Sequence, residues 1–382
     1  MTVRRLPPIY AITDRRRCGA ERAEEVVGAF LDAGVRAVQV REKDLPDGEL
    51  LRSVGAAQKA ASERGALLLV NDRTDVARIA GCGVHLGESD LPAPLARRIL
   101  GPEAALGMSS HTVEDAVRAF QSPDADYVAF GPVFESPTKP GRSARGLDLL
   151  ARVASNPARG KPLVAIGGIS LDRLGDVWDA GADCAAMVSA VNGPDARERA
   201  GAAVDAGRRR FLPRKIWLVG FMGSGKTTVG RILARRLELP FFDLDFEIEA
   251  ASGKSVRAIF EEQGEPEFRR RERAFVEGSA GIPEGVFASG GGTFVVESNR
   301  KLIQRTGLSV FLDAPFEALA VRAAGRPDRP LFANAEQARR LLDERLPFYR
   351  IAALPVALSG LESPEAAAEM LLEKMEERTC VI

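Results

Sequence analysis

Short apolar, β-branched runs alternate with longer segments of helical periodicity over residues 1 to about 192. This alternation is typical of parallel strands joined by crossover helices. The pattern predicts eight strands, which begin near Ile9, Ala37, Leu67, Gly83, Ala105, Tyr127, Pro162 and Cys184. Eight such strands close naturally into a (β/α)8 TIM barrel, a fold that extends down to about 200 residues. An open doubly wound sheet is the main alternative.

The second half repeats the alternation on a smaller scale. Its predicted strands begin near Ile216, Phe241, Val286, Val310 and Leu354. We expect a P-loop-type α/β/α sandwich with a central parallel sheet. A helical segment over 197–210 precedes Pro213, where one pattern ends and the next begins. We therefore predict two domains, over residues 1–211 and 212–382.

The composition supports a core in each half, because 45% of the 382 residues are hydrophobic and 28% are charged. Basic and acidic residues number 29 and 28 before Pro213, and 24 and 25 after it. Neither half is strongly charged, so the bulk electrostatics favour small-molecule ligands over nucleic acid or a membrane surface. The sequence does not indicate an oligomeric state.

The cysteines are scattered without the paired spacing of a disulfide framework or a zinc site. They are Cys18, Cys82, Cys184 and Cys380. The first residues lack the apolar run of a secretory signal, and no stretch approaches the roughly 20 apolar residues of a membrane span. We expect a cytoplasmic protein.

The segment GFMGSGKT, residues 220–227, follows a predicted strand and opens a predicted helix. This is the context of a phosphate-binding loop, because glycines allow successive backbone N–H groups to turn toward a phosphate at a helix N-terminus. Lys226 is expected to reach the outer phosphates, and Thr227 to hold magnesium. An ordinary glycine turn is the alternative.

Two carboxylates, Asp243 and Asp245, follow the next strand. Residues two apart at a strand end project from one face, so both point toward the phosphate loop. One is suited to the metal and the other to an acceptor hydroxyl. A helix N-cap or a solvated turn is the simpler explanation of this pair alone.

Further motifs follow in the order GEPEFRRRE, SGGGT, RPDRPL and ERLPFYR. Together with the phosphate loop and the two aspartates they resemble shikimate kinase over the whole second half. The resemblance implies ATP and Mg²⁺ as ligands, with Asp243 and Thr227 supporting the metal. It also implies that Glu272 holds Arg269 and that Arg329 lies in a lid over ATP. Another kinase of the same fold, such as a gluconate kinase, is the alternative.

The resemblance assigns the remaining residues of this half to two substrates. Those expected to bind ATP are Gly223, Ser224, Gly225, Lys226, Thr227, Thr228, Arg322 and Arg329. Those expected to bind shikimate are Asp245, Arg269, Gly291 and Arg345. The arginines suit a carboxylate, because guanidinium groups bind it in a bidentate way. Lys226, Asp245 and Arg329 would be catalytic, with Asp245 orienting or deprotonating the hydroxyl.

In the first half, polar residues lie where each predicted strand runs into its following loop. A (β/α)8 barrel places its active site at this end. Glycines after the seventh and eighth strands suit a phosphate, while Arg41, Lys43 and Lys139 concentrate positive charge on the same rim. Asp72 and Asp90 would repel each other without a cation, and Mg²⁺ is the natural choice beside a polyphosphate. Turns and helix caps explain each feature taken singly.

The set VQVREK, VNDR, GVHLGESD, GMSSH, GPVFESPTK, IGGI and VSA resembles thiamine-phosphate synthase across residues 9 to 192. The resemblance implies a pyrimidine diphosphate bound by Gln39, Arg41, Glu42, Lys43, Asn71, Ser109 and Lys139. It implies a thiazole phosphate bound by Ser136, Pro137, Thr138, Gly168, Val188 and Ser189. Asp72 and Asp90 would hold Mg²⁺, and Arg41, Lys43 and Lys139 would stabilise the departing diphosphate.

Two positions differ from that family's usual residues: Ser136 replaces a threonine, and Glu88 replaces a glutamine. A thiazole tautomerase is the nearest alternative, but it lacks the diphosphate and metal groups that Lys43, Asp72 and Asp90 provide here. His111 is a candidate for proton transfer or for a structural hydrogen bond. We expect a bifunctional enzyme with one Mg²⁺ site in each domain. A half that has become a regulatory remnant is the non-enzymatic alternative.

Overall fold

A computed structural model describes residues 6–135, 143–323, 335–359 and 363–379. The chain divides into two compact units between Arg210 and Phe211, one residue before the predicted boundary. Each unit has its own hydrophobic core. Within the described residues, no helix is both long enough and apolar enough to cross a lipid bilayer.

The strands of the first unit are short, buried and parallel, and the last pairs with the first to close a barrel. The closed ring confirms the predicted barrel and excludes the open sheet. Its strands in the described residues are β1 (Ile9–Ile12), β2 (Ala37–Val40), β3 (Leu67–Asn71), β4 (Gly83–Leu86), β5 (Leu106–Ser110), β6 (Tyr127–Phe130), β7 (Leu163–Ile166) and β8 (Cys184–Met187).

Helices follow the strands and bury their apolar faces against the outside of the barrel. They are α1 (Arg15–Cys18), α2 (Ala23–Asp32), α3 (Asp47–Glu63), α4 (Thr74–Ala80), α5 (Ala93–Leu100), α6 (Val113–Gln121), α7 (Gly146–Ala154), α8 (Leu174–Asp179) and α9 (Ala196–Phe211). A single 3₁₀ turn over Leu171–Arg173 leads into α8.

The interior of the barrel contains a separate apolar cluster in which Tyr10 and Tyr127 are fully buried. Gly107 on β5 makes room for one of them, because a Cβ atom there would lie 2.0 Å from Cζ of Tyr127. The barrel is therefore filled by side chains below its carboxyl end, and the cavity that the described residues leave for a ligand lies above them.

The second unit is a parallel sheet with strand order β10-β11-β9-β12-β13 among the described residues. Its strands are β9 (Lys215–Val219), β10 (Phe241–Asp243), β11 (Gly285–Ala288), β12 (Leu308–Asp313) and β13 (Leu354–Ala357). Its helices are α10 (Lys226–Leu237), α11 (Leu244–Ser252), α12 (Val256–Ser279), α13 (Glu297–Thr306), α14 (Phe316–Ala323), α15 (Ala335–Tyr349) and α16 (Pro364–Thr379).

The strand order reverses at β9, which has β11 on one side and β12 on the other. Ligands of open α/β sheets bind beyond the carboxyl end of the strand at such a reversal. Helix α12 is interrupted at Gly264, whose φ of 83° is left-handed, and Pro266 stands just after the break. The second part of α12 carries Arg269 and Glu272, which contact Gly292 and Thr293 in the loop after β11.

Candidate active sites

A cavity of about 650 Å³ lies at the carboxyl end of the barrel strands. It lies at the end of the barrel where the sequence analysis predicted the active site. The predicted residues that it brings together are Gln39, Arg41, Lys43, Asn71, Asp72, Asp90, Ser109, Gly168, Val188 and Ser189. His85, Glu88 and His111 line the same space. Residues at or after the ends of all eight strands therefore share one pocket.

The cavity contains a pair of interacting carboxylates, Asp72 and Asp90. Burial and the neighbouring Asp72 raise the pKa of Asp90, whose Oδ2 accepts a 2.6 Å hydrogen bond from the backbone of Gly87. Although burial opposes it, hydrogen bonds from Asp90 and Lys43 hold the pKa of Asp72 below its usual value. Lys43 Nζ lies 3.1 Å from Asp72 Oδ2. The two carboxyl groups thus behave as a pair that favours one negative charge.

This donor set fits a magnesium ion. Mg²⁺ is commonly held by one or two carboxylates and completes its shell with substrate phosphates and water. Two adjacent carboxylates whose charges disfavour each other meet that description. No cluster of three or more histidine, cysteine or acidic residues suited to a metal occurs in the described parts of the chain. A Mg²⁺ ion held here would take ligands from Asp72 and Asp90, and the others from substrate phosphates and water.

Opposite the carboxylates, Gly167 and Gly168 follow β7 with φ angles of 102° and 62°. A Cβ atom on Gly168 would lie 2.3 Å from the carbonyl oxygen of Glu135. Only glycine fits this close approach in a left-handed conformation. Val188 and Ser189 follow β8 beside it. This end of the cavity presents the backbone of two glycines, and its role as a phosphate site stays a prediction from the sequence.

The structure does not bring the Glu42 side chain into the cavity. Its carboxylate accepts hydrogen bonds from Thr13 Oγ1 at 2.8 Å and from the backbone of Arg15 at 3.3 Å. Burial raises the pKa of Glu42 despite these partners. Thr13 also accepts a hydrogen bond from the backbone of Arg41. The Glu42 side chain therefore ties the ends of β1 and β2 together and orients its neighbour Arg41, and the binding of the pyrimidine diphosphate at this position stays a prediction.

Several predicted site residues cannot be placed. Ser136, Pro137, Thr138 and Lys139 in the barrel, and Arg329 in the second unit, lie outside the described residues. Their roles stay predictions from the sequence.

In the second unit the loop between β9 and α10 has the geometry of a phosphate cradle. Gly220, Gly223 and Gly225 all have positive φ angles. Lys226 Nζ lies over the loop, where it donates to the carbonyl oxygens of Gly220 and Phe221 at 2.9 Å. The hydroxyl of Ser224 is buried and has no protein hydrogen-bond partner within the described residues. A buried hydroxyl of this kind suits a phosphate oxygen.

The other predicted nucleotide residues surround this loop. Thr227 and Thr228 lie in the exposed first turn of α10. Thr227 Oγ1 donates a 2.7 Å hydrogen bond to Asp243 Oδ2. A hydroxyl and a carboxylate in contact at the phosphate loop are the oxygen ligands that Mg²⁺ uses in P-loop proteins. Arg322 Nη1 lies 3.5 Å from the carbonyl oxygen of Gly223, which places that arginine beside the loop.

Asp243 caps helix α11 by accepting a hydrogen bond from the backbone of Asp245 at 3.2 Å. Crowding by protein atoms and the nearby charge of Asp243 raise the pKa of Asp245 to about 6, while Lys226 opposes the rise. The surface of Asp245 is nevertheless exposed, so the charge of Asp243 is the cause that the geometry supports better. Asp245 thus lies within the electrostatic reach of the phosphate-loop lysine.

Arg269 is held from two sides by carboxylates. Its Nη1 donates to Glu272 Oε2 at 2.9 Å, and its Nη2 donates to Glu265 Oε1 at 2.9 Å. Thr293 donates a 2.6 Å hydrogen bond to the other oxygen of Glu272. A Cβ atom on Gly292 would lie 2.5 Å from Arg269 Nη1. The glycine run after β11 therefore lets the guanidinium lie directly against the loop.

The same glycine run contacts the phosphate loop and α15. A Cβ atom on Gly291 would lie 3.3 Å from Arg345 Nη1 and 3.6 Å from the backbone nitrogen of Met222. Tyr349 donates a 2.5 Å hydrogen bond to the carbonyl oxygen of Gly291. Asp245, Arg269, Gly291 and Arg345 thus converge beside the phosphate loop.

Two supporting residues were missed by the sequence analysis. Thr13 directly follows β1, and Tyr349 is the last residue but one of the motif ERLPFYR. A polar residue at the end of a barrel strand was a usable signal for the first. The second has no local signal, because its partner Gly291 lies 58 residues away.

Fold and sites define the class. The chain carries two phosphate-binding transferase folds, a barrel whose rim combines cations with paired carboxylates and a P-loop unit of the small-molecule kinase type. A family model described as thiamine monophosphate synthase matches residues 9–191, and one described as shikimate kinase matches residues 222–376. The chain belongs to the thiamine-phosphate synthase family through its first unit, and its second unit is a shikimate kinase domain.

Curated relatives match the first unit. The thiamine-phosphate synthase of Acidothermus cellulolyticus is 44% identical over 194 residues, which are 50% of this chain and 91% of that protein. The thiamine-phosphate synthase of Anaeromyxobacter dehalogenans is 48% identical over 186 residues, covering 47% of this chain and 82% of that protein.

Solved structures resemble each unit. The thiamine phosphate pyrophosphorylase of Pyrococcus furiosus is 31% identical, with a TM-score of 0.48, and the match covers 54% of this chain and 96% of that one. The shikimate kinase of Acinetobacter baumannii in complex with shikimate is 34% identical, with a TM-score of 0.42, covering 45% of this chain and 98% of that one. The family matches confirm the two enzyme types that the sequence motifs predicted.

Proposed function

We propose that the first unit couples 4-amino-2-methyl-5-pyrimidinylmethyl diphosphate to thiazole phosphate, and that the second phosphorylates the 3-hydroxyl of shikimate with ATP. The observation that carries the first assignment is the single cavity in which Arg41, Lys43, Asp72 and Asp90 face a glycine-lined end. A diphosphate needs the charged end, and a phosphate monoester suits the backbone end.

In the barrel reaction the bond between the pyrimidine methylene carbon and the diphosphate oxygen breaks, and the diphosphate leaves with the electron pair. The thiazole nitrogen supplies the lone pair for the new carbon–nitrogen bond. Arg41 and Lys43 would stabilise the negative charge of the leaving group, which is an electrostatic contribution. Asp72 and Asp90 would hold Mg²⁺, which adds positive charge beside the diphosphate. Placement of the two substrates in one cavity supplies much of the remaining rate.

In the kinase reaction the hydroxyl oxygen of the acceptor forms a bond to the γ-phosphorus, and the bond from that phosphorus to the β–γ bridging oxygen breaks. Lys226 would neutralise the transferred phosphoryl group, and Asp245 would orient the hydroxyl and accept its proton. Arg269 and Arg345 would bind the acceptor carboxylate, and Gly291 lies beside Arg345 and Met222 of the phosphate loop. Asp243 and Thr227 would hold the Mg²⁺ that accompanies ATP. This convergence supports a carboxylate-bearing acceptor over an uncharged one.

The test is an assay of the intact purified chain with each substrate pair and Mg²⁺, with products identified by mass spectrometry. We expect thiamine phosphate with diphosphate from the first pair, and ADP with shikimate 3-phosphate from the second. Isomerisation of the thiazole without consumption of the pyrimidine would instead identify a tautomerase. Phosphorylation of gluconate but not shikimate would overturn the assignment of the kinase unit. Location in the cytoplasm stays a prediction.

A further inference from the structure

A continuous chain of hydrogen-bonding groups crosses the inside of the barrel beneath the cavity. Gln39 Nε2 donates to Tyr10 Oη at 2.7 Å, and Tyr10 Oη lies 3.1 Å from Tyr127 Oη. Tyr127 Oη lies 2.9 Å from His85 Nδ1, and His85 Nε2 lies 3.0 Å from Ser109 Oγ. Both ends of the chain, Gln39 and Ser109, line the cavity.

The middle of this series of hydrogen bonds is buried and does not contact water. Tyr10 and Tyr127 are 1% and 0% exposed, and burial raises the pKa of both phenols, so each keeps its hydroxyl hydrogen. A buried hydroxyl hydrogen without an acceptor is energetically costly, because it loses its hydrogen bond to water and gains none in the protein. The hydrogen-bonded series therefore favours an arrangement in which every hydroxyl hydrogen has an acceptor.

The amide of Gln39 determines which group donates and which accepts in each hydrogen bond of the series. Because it donates to Tyr10, the hydrogen of Tyr10 must point to Tyr127, and the hydrogen of Tyr127 must point to His85 Nδ1. A neutral His85 then carries its hydrogen on Nε2 and donates to Ser109. The hydroxyl of Ser109 is left to donate into the cavity, and Oε1 of Gln39 is left to accept there.

We propose that Tyr10, Tyr127 and His85 are positioning residues that impose this polarity, so that the cavity recognises a ring nitrogen next to an exocyclic amino group. Such an edge offers one acceptor and one donor, which complement Ser109 and Gln39. The edge of the corresponding oxo compound carries a ring N–H beside a carbonyl, and it presents the reverse pattern. The ligand class rests on the proposed synthase function, whereas the polarity itself rests on the protein contacts alone.

The polarity is tested by ¹⁵N NMR of the imidazoles in the intact chain. The chain has only two histidines, His85 and His111, so the spectrum is simple to assign. We expect a neutral His85 with its hydrogen on Nε2. His111 serves as an internal reference of opposite type, because its Nδ1 lies 2.5 Å from the carbonyl oxygen of Gly131, which can only accept. A hydrogen on Nδ1 of His85 would overturn the proposed direction, whatever the reaction.

The consequence for recognition is tested with Tyr127→Phe, which removes the hydroxyl between Tyr10 and His85 but keeps the ring that fills the barrel. We expect the preference in kcat/KM for the aminopyrimidine diphosphate over its oxo analogue to fall by roughly tenfold or more. The loss should appear in KM for the aminopyrimidine, while KM for thiazole phosphate stays within twofold.

Ser53→Ala is the matched control. It also removes one buried hydroxyl of the first unit, which donates to Glu24 outside the cavity, and it should leave the preference unchanged. If Tyr127→Phe does not fold, Tyr10→Phe interrupts the same series of hydrogen bonds at another position. A folded variant that keeps the full preference would show that the tyrosines only fill the core. Failure of the wild-type chain to form thiamine phosphate would refute the proposed function and leave the NMR test of the polarity intact.

Discussion

Arg269 has two carboxylate partners of very different exposure. Glu265 is 61% exposed, whereas Glu272 is 1% exposed and is also bound by Thr293. An exposed ion pair contributes little because water screens it, whereas a buried carboxylate fixes the position of its partner. At the scale of single residues, we therefore assign the orientation of Arg269 to Glu272.

We predict that Glu272→Gln raises KM for shikimate about tenfold and destabilises the second unit by about 2 kcal/mol, since the amide cannot accept from Arg269 and Thr293 as two carboxylate oxygens do. KM for ATP should not change. Steady-state kinetics and thermal unfolding measure both effects. Glu265→Gln is the control, with an expected change in stability within about 0.5 kcal/mol. Equal effects of the two variants would contradict the assignment.

The contact between helix α10 and the sheet depends on a glycine, Gly230, which has no Cβ atom. A Cβ atom on Gly230 would lie 2.6 Å from Cε2 of Phe241 and 3.1 Å from Cδ1 of Leu218. The helix that begins at Lys226 can therefore approach β9 and β10 closely. This contact between a helix and two strands positions the phosphate loop relative to the sheet.

Gly230→Ala should destabilise the second unit by roughly 1–3 kcal/mol, because the added methyl forces the helix away from the ring. Thermal unfolding of the full chain, followed through the second unit's transition, gives the measurement. Gly278→Ala, in α12 with no atom within 4 Å of the new methyl, is the matched control. It should be neutral or stabilise by up to about 1 kcal/mol, because alanine has the higher helix propensity. A destabilised control would show that the effect is not one of packing.

Each of the two units has its own hydrophobic core and its own candidate site among the described residues. The barrel site depends on Asp72, and the kinase site on Lys226. The residues that we assign to each reaction come from one unit alone. Independent catalysis is therefore the expectation for the intact chain.

Lys226→Ala should lower phosphorylation of shikimate by roughly 10³-fold, because the transferred phosphoryl group loses its neutralising cation. Formation of thiamine phosphate should stay within twofold of wild type. Asp72→Ala should produce the reverse result. Lys59→Ala, an exposed lysine of α3, should change neither activity. Parallel assays of the three variants decide the point, and loss of both activities from one active-site variant would refute independence.

The predicted strand starts lie within two residues of the observed ones, as at Ala105 for β5 and Val310 for β12. Short β-branched runs between helical patterns are a local signal, so the strands could be predicted from the sequence. The same holds for the phosphate loop, whose strand and helix flank it directly. The contact of the Glu42 side chain with Thr13 was not predictable, because Glu42 neighbours Arg41 and Lys43 in sequence while Thr13 lies on another strand end. Alternation along a strand continues into a loop only when the backbone stays extended.

The amino-acid sequence by itself determined the order of the elements, the phosphate loop and the charged residues available at each strand end, because all of these depend on neighbours within a few positions. The tertiary structure alone decided which distant groups meet. Tyr10 and Tyr127, 117 residues apart, come into contact only because the barrel closes, and Tyr349 reaches Gly291 only when α15 packs on the sheet. Contacts of this range depend on how whole elements pack, and no local pattern encodes that packing.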